Sequence, residues 1–525
     1  MRQHSQSVLW EEGVAAEPAC RLAADIDTDV VVVGAGITGL TTALLLAGEK
    51  RRVVVLEADR IGAGTSGRTS AHVSAVPDIG YQRVLAQLGG DDGRAYIARL
   101  NDALECMDGL VVAEGMECGW RRVPAYWFSD DGDGAARLAK EASAAASLGQ
   151  ECRLLPQSPL PWANTGALSF PKQALFHPLR YLRQLADVAV RRGAIIHEKT
   201  PMTRWEDGKD GVEVHTPSAV VRAQELVLAT HTPVGFNLLQ TQLTPMQSYL
   251  LTVALPEGIA PALYWDTSDP YFYLRPYGDD GRPLVLVGGC DHRTGQEENP
   301  QARYTQLAKY VRERLPRATV TGWWAAQLFE SADGLPYIGR SPLATRVSVA
   351  TGFAGVGLVQ GTMAAMELAD GLRGERQDSR PWSATRVTLS AAPKIAGDTI
   401  GVALNWMADR VTPTDGDDVD DVQLGDGAIL RLDGQRRAVY RADDGRLHVL
   451  SPLCPHLGCL VRWNGPARSW DCPCHGSRFA PTGEVIEGPA LEGLARIACA
   501  AAQPYGGPPP STPSADAMRF DTDKG

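Results

Sequence analysis

The sequence predicts a chain of mixed α/β and all-β character, with a doubly wound parallel sheet first and a small β-module last. Near the N-terminus, the β-branched run DVVVV (29–33) precedes the glycine turn GAGITG and the helix-like segment LTTALLLAGEK. A second apolar strand, RVVVLEA, follows at once. Strand, glycine turn, helix and strand in this order open a doubly wound domain. From Gln423 onwards, short strands and turns dominate, which is typical of a small all-β module.

Between these two ends, helices and strands are mixed without strict alternation. Helical periodicity is visible at 101–114 and 179–193, and strand-like runs occur at 223–231, 271–276 and 282–289. We expect these segments to form an α+β part that is interleaved with the first domain.

Length and composition bound the class of protein. A chain of 525 residues exceeds one ordinary core, and its 44% hydrophobic and 22% charged residues are ordinary for a globular protein. The net charge of −11 argues against a surface that binds nucleic acid. No stretch approaches the roughly 18 consecutive apolar residues of a membrane span, and the start lacks a signal-peptide pattern. We therefore expect a cytoplasmic protein with no membrane span and no nucleic-acid partner.

The glycine turn stands where the pyrophosphate of a dinucleotide binds. Gly34 permits a tight turn, Gly36 lets the backbone approach the phosphates, and Gly39 allows close helix packing. The N-terminus of the following helix adds unpaired N–H groups. Glu57 ends the second strand, where a carboxylate accepts hydrogen bonds from ribose hydroxyls. No other GxGxxG motif follows a strand, so the sequence offers no site for a nicotinamide donor.

Three further stretches favour FAD over NAD and carry a family resemblance. They are IGAGTSGRTSAHVS (61–74), ADGLPYIGR (332–340) and ATGFAGVGLVQGTMAAMELADGL (350–372). With the glycine turn, they resemble the superfamily of D-amino-acid oxidase, glycine oxidase and sarcosine oxidase, and GTSGRTSA is similar to putrescine-type amine oxidoreductases. The resemblance covers roughly residues 25–375. It implies an FAD-dependent oxidoreductase of the amine or amino-acid type.

The resemblance also implies which residues bind FAD and substrate. Residues at flavin-binding positions are Gly34, Gly36, Ile37, Thr38, Gly39, Glu57, Ala58, Ser66, Arg68, Thr69, Ser70, Ala229, Thr230, Asp333, Pro336, Gly352, Gly355, Val356, Gly357 and Leu358. His72 follows the flavin-binding loop and is a catalytic candidate, as is Tyr273 on a predicted strand. Arg275, on the same strand, is a candidate partner for a substrate carboxylate. A structural role is the alternative for each of these three.

Two stretches near the C-terminus, CPHLGC (454–459) and CPCHGS (472–477), contain four of the ten cysteines and two histidines. By residue count, a zinc site of two cysteines and two histidines and a plain disulfide are both open. The C-x-H spacing fits a zinc finger poorly, and a disulfide leaves the histidines unexplained. The six scattered cysteines are expected to be reduced packing residues.

Both stretches are similar to the cluster-binding loops of the Rieske family. This resemblance implies a [2Fe–2S] cluster with a potential of about −150 to +300 mV. It assigns one iron to Cys454 and Cys472 and the other to His456 and His475. It also implies a disulfide between Cys459 and Cys474.

These features predict the domain organisation. An FAD-dependent region covers 25–395, with FAD-binding segments at about 25–82, 165–235 and 325–375 and a substrate domain at about 83–164 and 236–324. An Asp-rich stretch lies in a linker at 396–421 and precedes the Rieske domain at 422–503. The end, 504–525, is rich in Pro, Gly and Ser and is expected to be disordered.

The two cofactors together indicate a function. FAD takes two electrons as a hydride, whereas the cluster carries one. We expect oxidation of a C–N bond of an amine or amino acid, with single electrons passed to an external carrier of ferredoxin or cytochrome type. Leu286 stands where sarcosine-oxidase-like enzymes have an oxygen-activating lysine, which favours a dehydrogenase. Two alternatives stay open: a ferredoxin feeds electrons through the cluster to the flavin for a reductive or oxygenating step, or the chain is a non-catalytic redox sensor.

Overall fold

The computed structural model describes residues 5–6, 8–14, 19–47, 51–235, 237–278, 283–375, 380–386, 397 and 413–498. In these residues, one sheet has eight strands, a second has ten, and two small sheets lie at the C-terminal end. The predicted combination of an α/β region and a separate all-β module is confirmed.

The strands are numbered in chain order. They are β1 (Ser5–Gln6), β2 (Ile26–Val33), β3 (Val53–Leu56), β4 (His72–Val73), β5 (Arg121–Ser129), β6 (Arg153–Leu155), β7 (Gly166–Leu175), β8 (Ile195–His197), β9 (Arg204–Asp207), β10 (Val212–His215), β11 (Val220–Leu228), β12 (Leu243–Ala254), β13 (Leu263–Asp266), β14 (Phe272–Tyr277), β15 (Leu284–Arg293), β16 (Thr319–Ser331), β17 (Tyr337–Arg340), β18 (Val347–Thr351), β19 (Gly427–Leu432), β20 (Gln435–Arg441), β21 (Leu447–Leu450), β22 (Arg462–Asn464), β23 (Ser469–Asp471), β24 (Arg478–Phe479) and β25 (Val485–Glu487).

The α-helices are α1 (Ile37–Ala47), α2 (Thr65–Arg68), α3 (Tyr81–Glu114), α4 (Gly134–Ser147), α5 (Pro178–Arg191), α6 (Pro300–Arg314) and α7 (Gly357–Arg373). The predicted helices at 101–114 and 179–193 correspond to the second half of α3 and to α5. Helix α3 bends at Gly89, whose φ of 71° leaves the helical region.

The eight-stranded sheet has the order β17-β18-β11-β2-β3-β8, with β9 and β10 attached beside β11. Its central strands are parallel, and the valine run of β2 is buried on both faces. Val30 and Val32 pack in the cluster that contains α1, whereas Val31 and Val33 pack with Val212 of β10. This two-sided burial explains why β2 lacks a polar alternation.

The ten-stranded sheet has the order β1-β16-β12-β15-β14-β13-β5-β7-β4, with β6 beside β7. One face of its central strands packs against α6, where Tyr249 meets Tyr304. Because side chains alternate along a strand, Ser248 and Leu250 point to the opposite face, which borders a large cavity. The sheet therefore forms a floor for that cavity.

Two of the segments predicted to bind FAD contain strands of the ten-stranded sheet. Strand β7, placed by sequence in an FAD-binding segment, pairs with β5 in the ten-stranded sheet. Strand β16 also belongs to that sheet, although the sequence assigns its end to FAD binding. Hydrophobic runs look alike in both sheets, so sequence could not assign these strands to one of them.

The C-terminal module consists of two antiparallel sheets, β19-β20-β21 and β22-β23-β24-β25. It begins before the predicted residue 422, because Asp415 N–H donates to Ile429 O at 2.8 Å and Arg431 N–H donates to Gly416 O at 3.0 Å. The end of the predicted linker is thus part of the module. Most of the remaining linker and the predicted disordered tail lie outside the described residues. Among the described helices, none is long and apolar enough to cross a membrane.

Candidate functional site

A cavity of about 1610 Å³ lies between the N-terminus of α1, helix α2, the inner face of the ten-stranded sheet and segment 482–496 of the C-terminal module. Pockets for single small molecules usually have about 300–1,000 Å³. The larger volume leaves room for a dinucleotide and a substrate together.

Most of the predicted cofactor residues line this cavity. They are Gly34, Gly36, Ile37, Thr38, Glu57, Ala58, Ser66, Arg68, Thr69, Ser70, Ala229, Thr230, Gly355, Val356, Gly357 and Leu358. The two glycine-rich turns, far apart in sequence, thus meet at one cavity.

The first glycine turn is packed so closely that it accepts no side chain. Gly34 has a φ of 105°, and a Cβ there would lie 2.5 Å from Ala229 O. A Cβ on Gly39 would lie 1.9 Å from Gly34 O. Glu57 accepts hydrogen bonds from Ala35 N–H at 2.8 Å and Asp59 N–H at 2.9 Å, and burial raises its pKa. A tight turn before a helix, closed by a carboxylate, fits the pyrophosphate and ribose of FAD.

Four predicted cofactor residues lie outside the cavity wall. Gly39 acts through helix packing, whereas Asp333, Pro336 and Gly352 make contacts within the chain behind the wall. Asp333 pairs with Arg386 at 2.7 Å, and Pro336 O accepts from the same guanidinium at 2.7 Å. Gly352, with a φ of 78°, is packed near Ser331. These residues hold the chain between β16 and α7 in place.

His72 lines the cavity beside the ten-stranded sheet as a neutral ring. Its Nε2 lies 3.1 Å from Leu274 O, which can only accept, so this nitrogen carries the proton. Its Nδ1 therefore accepts from Ser70 Oγ at 3.0 Å. Burial, and then the Arg275 charge, lower the pKa of His72 to about 3.

Tyr271, Tyr273 and Asp78 form the adjoining wall. Tyr273 Oη lies 3.0 Å from Ser248 Oγ, and its ring meets His72 edge-on at 5.3 Å. Tyr271 Oη donates to Asp291 Oδ2 at 3.3 Å. Burial and then the Glu330 carboxylate raise the pKa of Asp78 to about 6, and burial raises the pKa of Asp291 to about 7. This end of the cavity is aromatic and weakly acidic.

Arg275 does not reach the cavity, so its predicted contact with a substrate carboxylate is wrong. The side chain is fully buried and donates to Ala71 O at 2.7 Å and Phe176 O at 3.2 Å. Its guanidinium also lies 5.4 Å from the Trp10 ring. Burial lowers its pKa to about 9. Trp10 is itself fully buried and packs between Arg275 and the rings of His177 and Tyr277.

The two cysteine–histidine loops converge in the C-terminal module. A disulfide joins Cys459 to Cys474, the pair that the resemblance implies. Cys454 and Cys472 are free, and their hydrogen bond lowers the pKa of Cys454 to about 7 while the pKa of Cys472 is raised. The Cys472 sulfur also lies within 4.8 Å of both disulfide sulfurs.

The two histidines of these loops also lie together. The ring centroids of His456 and His475 are 5.1 Å apart. His456 Nε2 and His475 Nδ1 are buried and lack a hydrogen-bond partner within the described chain. Burial lowers the pKa of His475 to about 4, which keeps the ring neutral. Two thiols and two neutral imidazoles with unused nitrogens fit the Rieske ligand set.

The cysteine–histidine loops lie directly on the large α/β region. Gln327 of β16 lines the cavity, and its Nε2 donates to Gly476 O at 2.8 Å, beside His475. Gln296 Nε2 donates to Pro473 O at 3.3 Å. His456 forms a hydrogen bond with the backbone of Gly235. The histidine edge of the loops therefore faces the cavity-bearing domain.

This fold and these two sites define a flavin-dependent oxidoreductase with an appended iron–sulfur domain. Residues 29–371 match the family model described as FAD dependent oxidoreductase, and residues 415–498 match the Rieske [2Fe-2S] domain. The chain belongs to this family of FAD-dependent oxidoreductases and carries a C-terminal Rieske domain. FAD and a [2Fe–2S] cluster are its cofactors.

Relatives share both the architecture and its parts. The chain is 30% identical over 504 residues to YhfW of Bacillus subtilis (strain 168), described as a Rieske 2Fe-2S iron-sulfur protein. The aligned region covers 94% of this chain and 98% of that one. The glycine oxidase of Geobacillus kaustophilus has a similar fold, with a TM-score of 0.56 and 19% identity over 69% of this chain and all of that chain. A cytochrome b6-f iron-sulfur subunit of Trichodesmium erythraeum is 50% identical over 48 residues, which is 9% of this chain and 27% of that one.

Sequence reasoning missed several residues of the site. Asp78 follows His72 closely, and an acid after the apolar run VSAVP was an available signal. Gln327 and Glu487 line the cavity from β16 and from the Rieske domain. Nothing in their local sequence indicates this, because their position depends on how the domains dock.

Proposed function

We propose that this protein oxidises a C–N bond of an amine or amino acid and delivers the electrons one at a time to an external carrier. Bound FAD supplies hydride acceptance, and the Rieske cluster supplies one-electron transfer. The observation that carries the proposal is the position of Gln327, which lines the cavity and donates to Gly476 beside His475. One side chain thus spans the distance between the cavity and the cluster loop.

The residues at the substrate end support amine chemistry. The rings of Tyr271 and Tyr273 and the carboxylate of Asp78 offer an ammonium group aromatic faces and a counter-charge. An amine must lose its proton before its C–H bond is broken as a hydride. With a pKa of about 6, Asp78 is ionised at neutral pH and is suited to accept that proton. His72 stays neutral and donates to Leu274 O, so it positions the wall and holds no charge.

Anaerobic mixing of the holoprotein with a panel of amines and amino acids tests the proposal. We expect a substrate to bleach the visible band of the flavin first and the Rieske band afterwards. A one-electron acceptor of cytochrome or ferredoxin type should then restore both bands. An Asp78→Asn variant should bleach more slowly than wild type near neutral pH, where Asp78 is ionised, and the difference should shrink below about pH 6, with Asp269→Asn, also on the cavity wall, as the matched control.

Two outcomes would contradict the proposal. If reduced ferredoxin reduces both centres while no amine or amino acid does, the electrons flow in the reverse direction. If neither reagent reduces the flavin, the protein is a redox sensor and not an amine dehydrogenase.

A further inference from the structure

The C-terminal module supplies part of the wall of the dinucleotide cavity. Segment 482–488, together with Ala490, Leu491, Gly493 and Leu494, borders the same cavity as the glycine turn of α1. We propose that FAD is bound in a joint site, and that docking of the Rieske domain retains FAD in the cavity. This inference rests on FAD being the ligand and is independent of which substrate is oxidised.

Polar contacts join the wall formed by the α/β region to the wall formed by the C-terminal module. Thr65, at the start of α2, donates from Oγ1 to Glu487 Oε1 at 3.1 Å or to Gln327 O at the same distance. His231 Nδ1 lies 3.2 Å from the same hydroxyl. Thr65 is next to Ser66, which lines the cavity and accepts from Ile37 N–H at 3.1 Å. Glu487 therefore meets the flavin-binding turns directly.

The charge of Glu487 is neutralised by Arg478, which belongs to the same C-terminal module. Arg478 is 4% exposed and lies 3.4 Å from Glu487 Oε2 and 3.1 Å from Asp471 Oδ1. An unpaired carboxylate here would repel the phosphates of a dinucleotide, whereas the pair with Arg478 removes that repulsion. Asp471 precedes the cluster ligand Cys472, so the same ion pairs connect the wall to the cluster loop.

Apolar packing closes the wall next to these contacts. Gly235 N–H donates to Pro489 O at 2.9 Å, and Leu491 and Val234 pack against the same hydrophobic cluster. A Cβ on Gly488 would lie 2.9 Å from Val234 Cγ1. Gly488 is therefore a point at which one added side chain would push the two walls apart.

Release of FAD from the full-length holoprotein tests the joint site. We expect Gly488→Val to release FAD about tenfold faster on dilution, which corresponds to about 1.4 kcal/mol. The recovery of free-flavin fluorescence measures the rate. Gly465→Val is the matched control, because Gly465 is in the same module, does not line the cavity, and meets its nearest neighbour only at 3.6 Å. An unchanged Rieske electron paramagnetic resonance spectrum will show that the variant module is folded.

Amide hydrogen exchange of the unmodified protein provides a second test that needs no substitution. We expect amides of segment 482–494 to exchange more slowly in the FAD-loaded protein than in the FAD-depleted protein, while those of β19 and β20 remain unchanged. Release of FAD from Gly488→Val at the rate of Gly465→Val, or equal exchange in both forms, would overturn the joint site. A protein that behaves as expected in both tests and yet reacts with no amine would contradict the proposed function alone.

Discussion

At the scale of single residues, Arg275 shows how a polar side chain on a cavity-bordering strand becomes a structural support. It shares a strand face with Tyr271 and Tyr273, both of which line the cavity. Alternation along β14 alone therefore predicts a role in binding. Trp10, which is 265 residues away in sequence, places its ring 5.4 Å from the buried guanidinium of Arg275. No local pattern could indicate that contact.

We expect Arg275→Met to lower the free energy of unfolding by about 2–4 kcal/mol, because it leaves the carbonyls of Ala71 and Phe176 without their buried donor. Denaturant unfolding measures the change. Arg317→Met is the control, since Arg317 is 71% exposed and pairs with Glu257 only at 3.5 Å. Equal stability of the two variants would contradict the supporting role.

Asp291 should make stability depend on pH. Its pKa in the folded protein is raised from 3.8 to about 7, so the folded state binds a proton more tightly than the unfolded state. The resulting stabilisation is full below about pH 4 and is lost as pH rises towards 7. Asp291→Asn should therefore gain about 2–3 kcal/mol of stability relative to wild type between pH 5 and pH 8, the range in which most of this loss occurs.

Thermal or denaturant unfolding at pH 5 and at pH 8 measures the difference in stability between Asp291→Asn and wild type. Asp91→Asn, at a side chain that is 98% exposed, should show no change in relative stability between them. A gain for Asp291→Asn that is the same at pH 5 and pH 8 would show that the carboxyl does not titrate differently on folding.

At the scale of elements, local sequence predicts some parts of the fold well and others poorly. The β2–α1 turn follows from its own residues, because an apolar run, three spaced glycines and a helix leave few other geometries. The membership of β7 and β16 in the ten-stranded sheet does not follow, because pairing partners lie far along the chain. The same holds for Asp333, whose partner Arg386 lies 53 residues away.

The glycine turn gives a prediction at this scale. Gly39→Ala should abolish FAD binding and destabilise the α/β domain, because its Cβ would lie 1.9 Å from Gly34 O. Gly109→Ala is the matched control in the interior of α3, where no atom lies within 4 Å of the new Cβ. This control should raise the free energy of unfolding by about 0.5–1 kcal/mol. FAD content and thermal unfolding measure both effects, and an FAD-loaded Gly39→Ala protein would contradict the prediction.

At the scale of the whole molecule, the sequence predicts both cofactor centres but not how the two domains that carry them dock against each other. The motifs of each centre are short and local, so each is recognisable alone. Docking of the two domains depends on single contacts such as Gln327 with Gly476 and Asn464 with Gln247, at 2.8 and 3.1 Å. Such contacts have no periodicity, and sequence patterns cannot reveal them.

Removing the cluster should separate the two halves of the reaction. Cys472→Ser lacks one thiolate, so we expect the Rieske spectrum to disappear. With free FAD added, amines should still bleach the flavin, but electron delivery to a one-electron acceptor should fall to background. Cys20→Ser, at an exposed free cysteine, is the control and should retain both reactions. Undiminished delivery by Cys472→Ser would show that electrons leave the flavin by another route.

The contact between Thr65 and Glu487 joins residues that are 422 positions apart in the chain. During synthesis from the N-terminus, the glycine turn, β11 and α7 all emerge before Glu487. Contacts of such separation form only after a very long loop has closed, so they come late in folding. The α/β domain therefore passes through a stage in which its cavity is open on one side. A chain released before residue 482 would contain every glycine of the nucleotide turn and still lack a wall of the cavity.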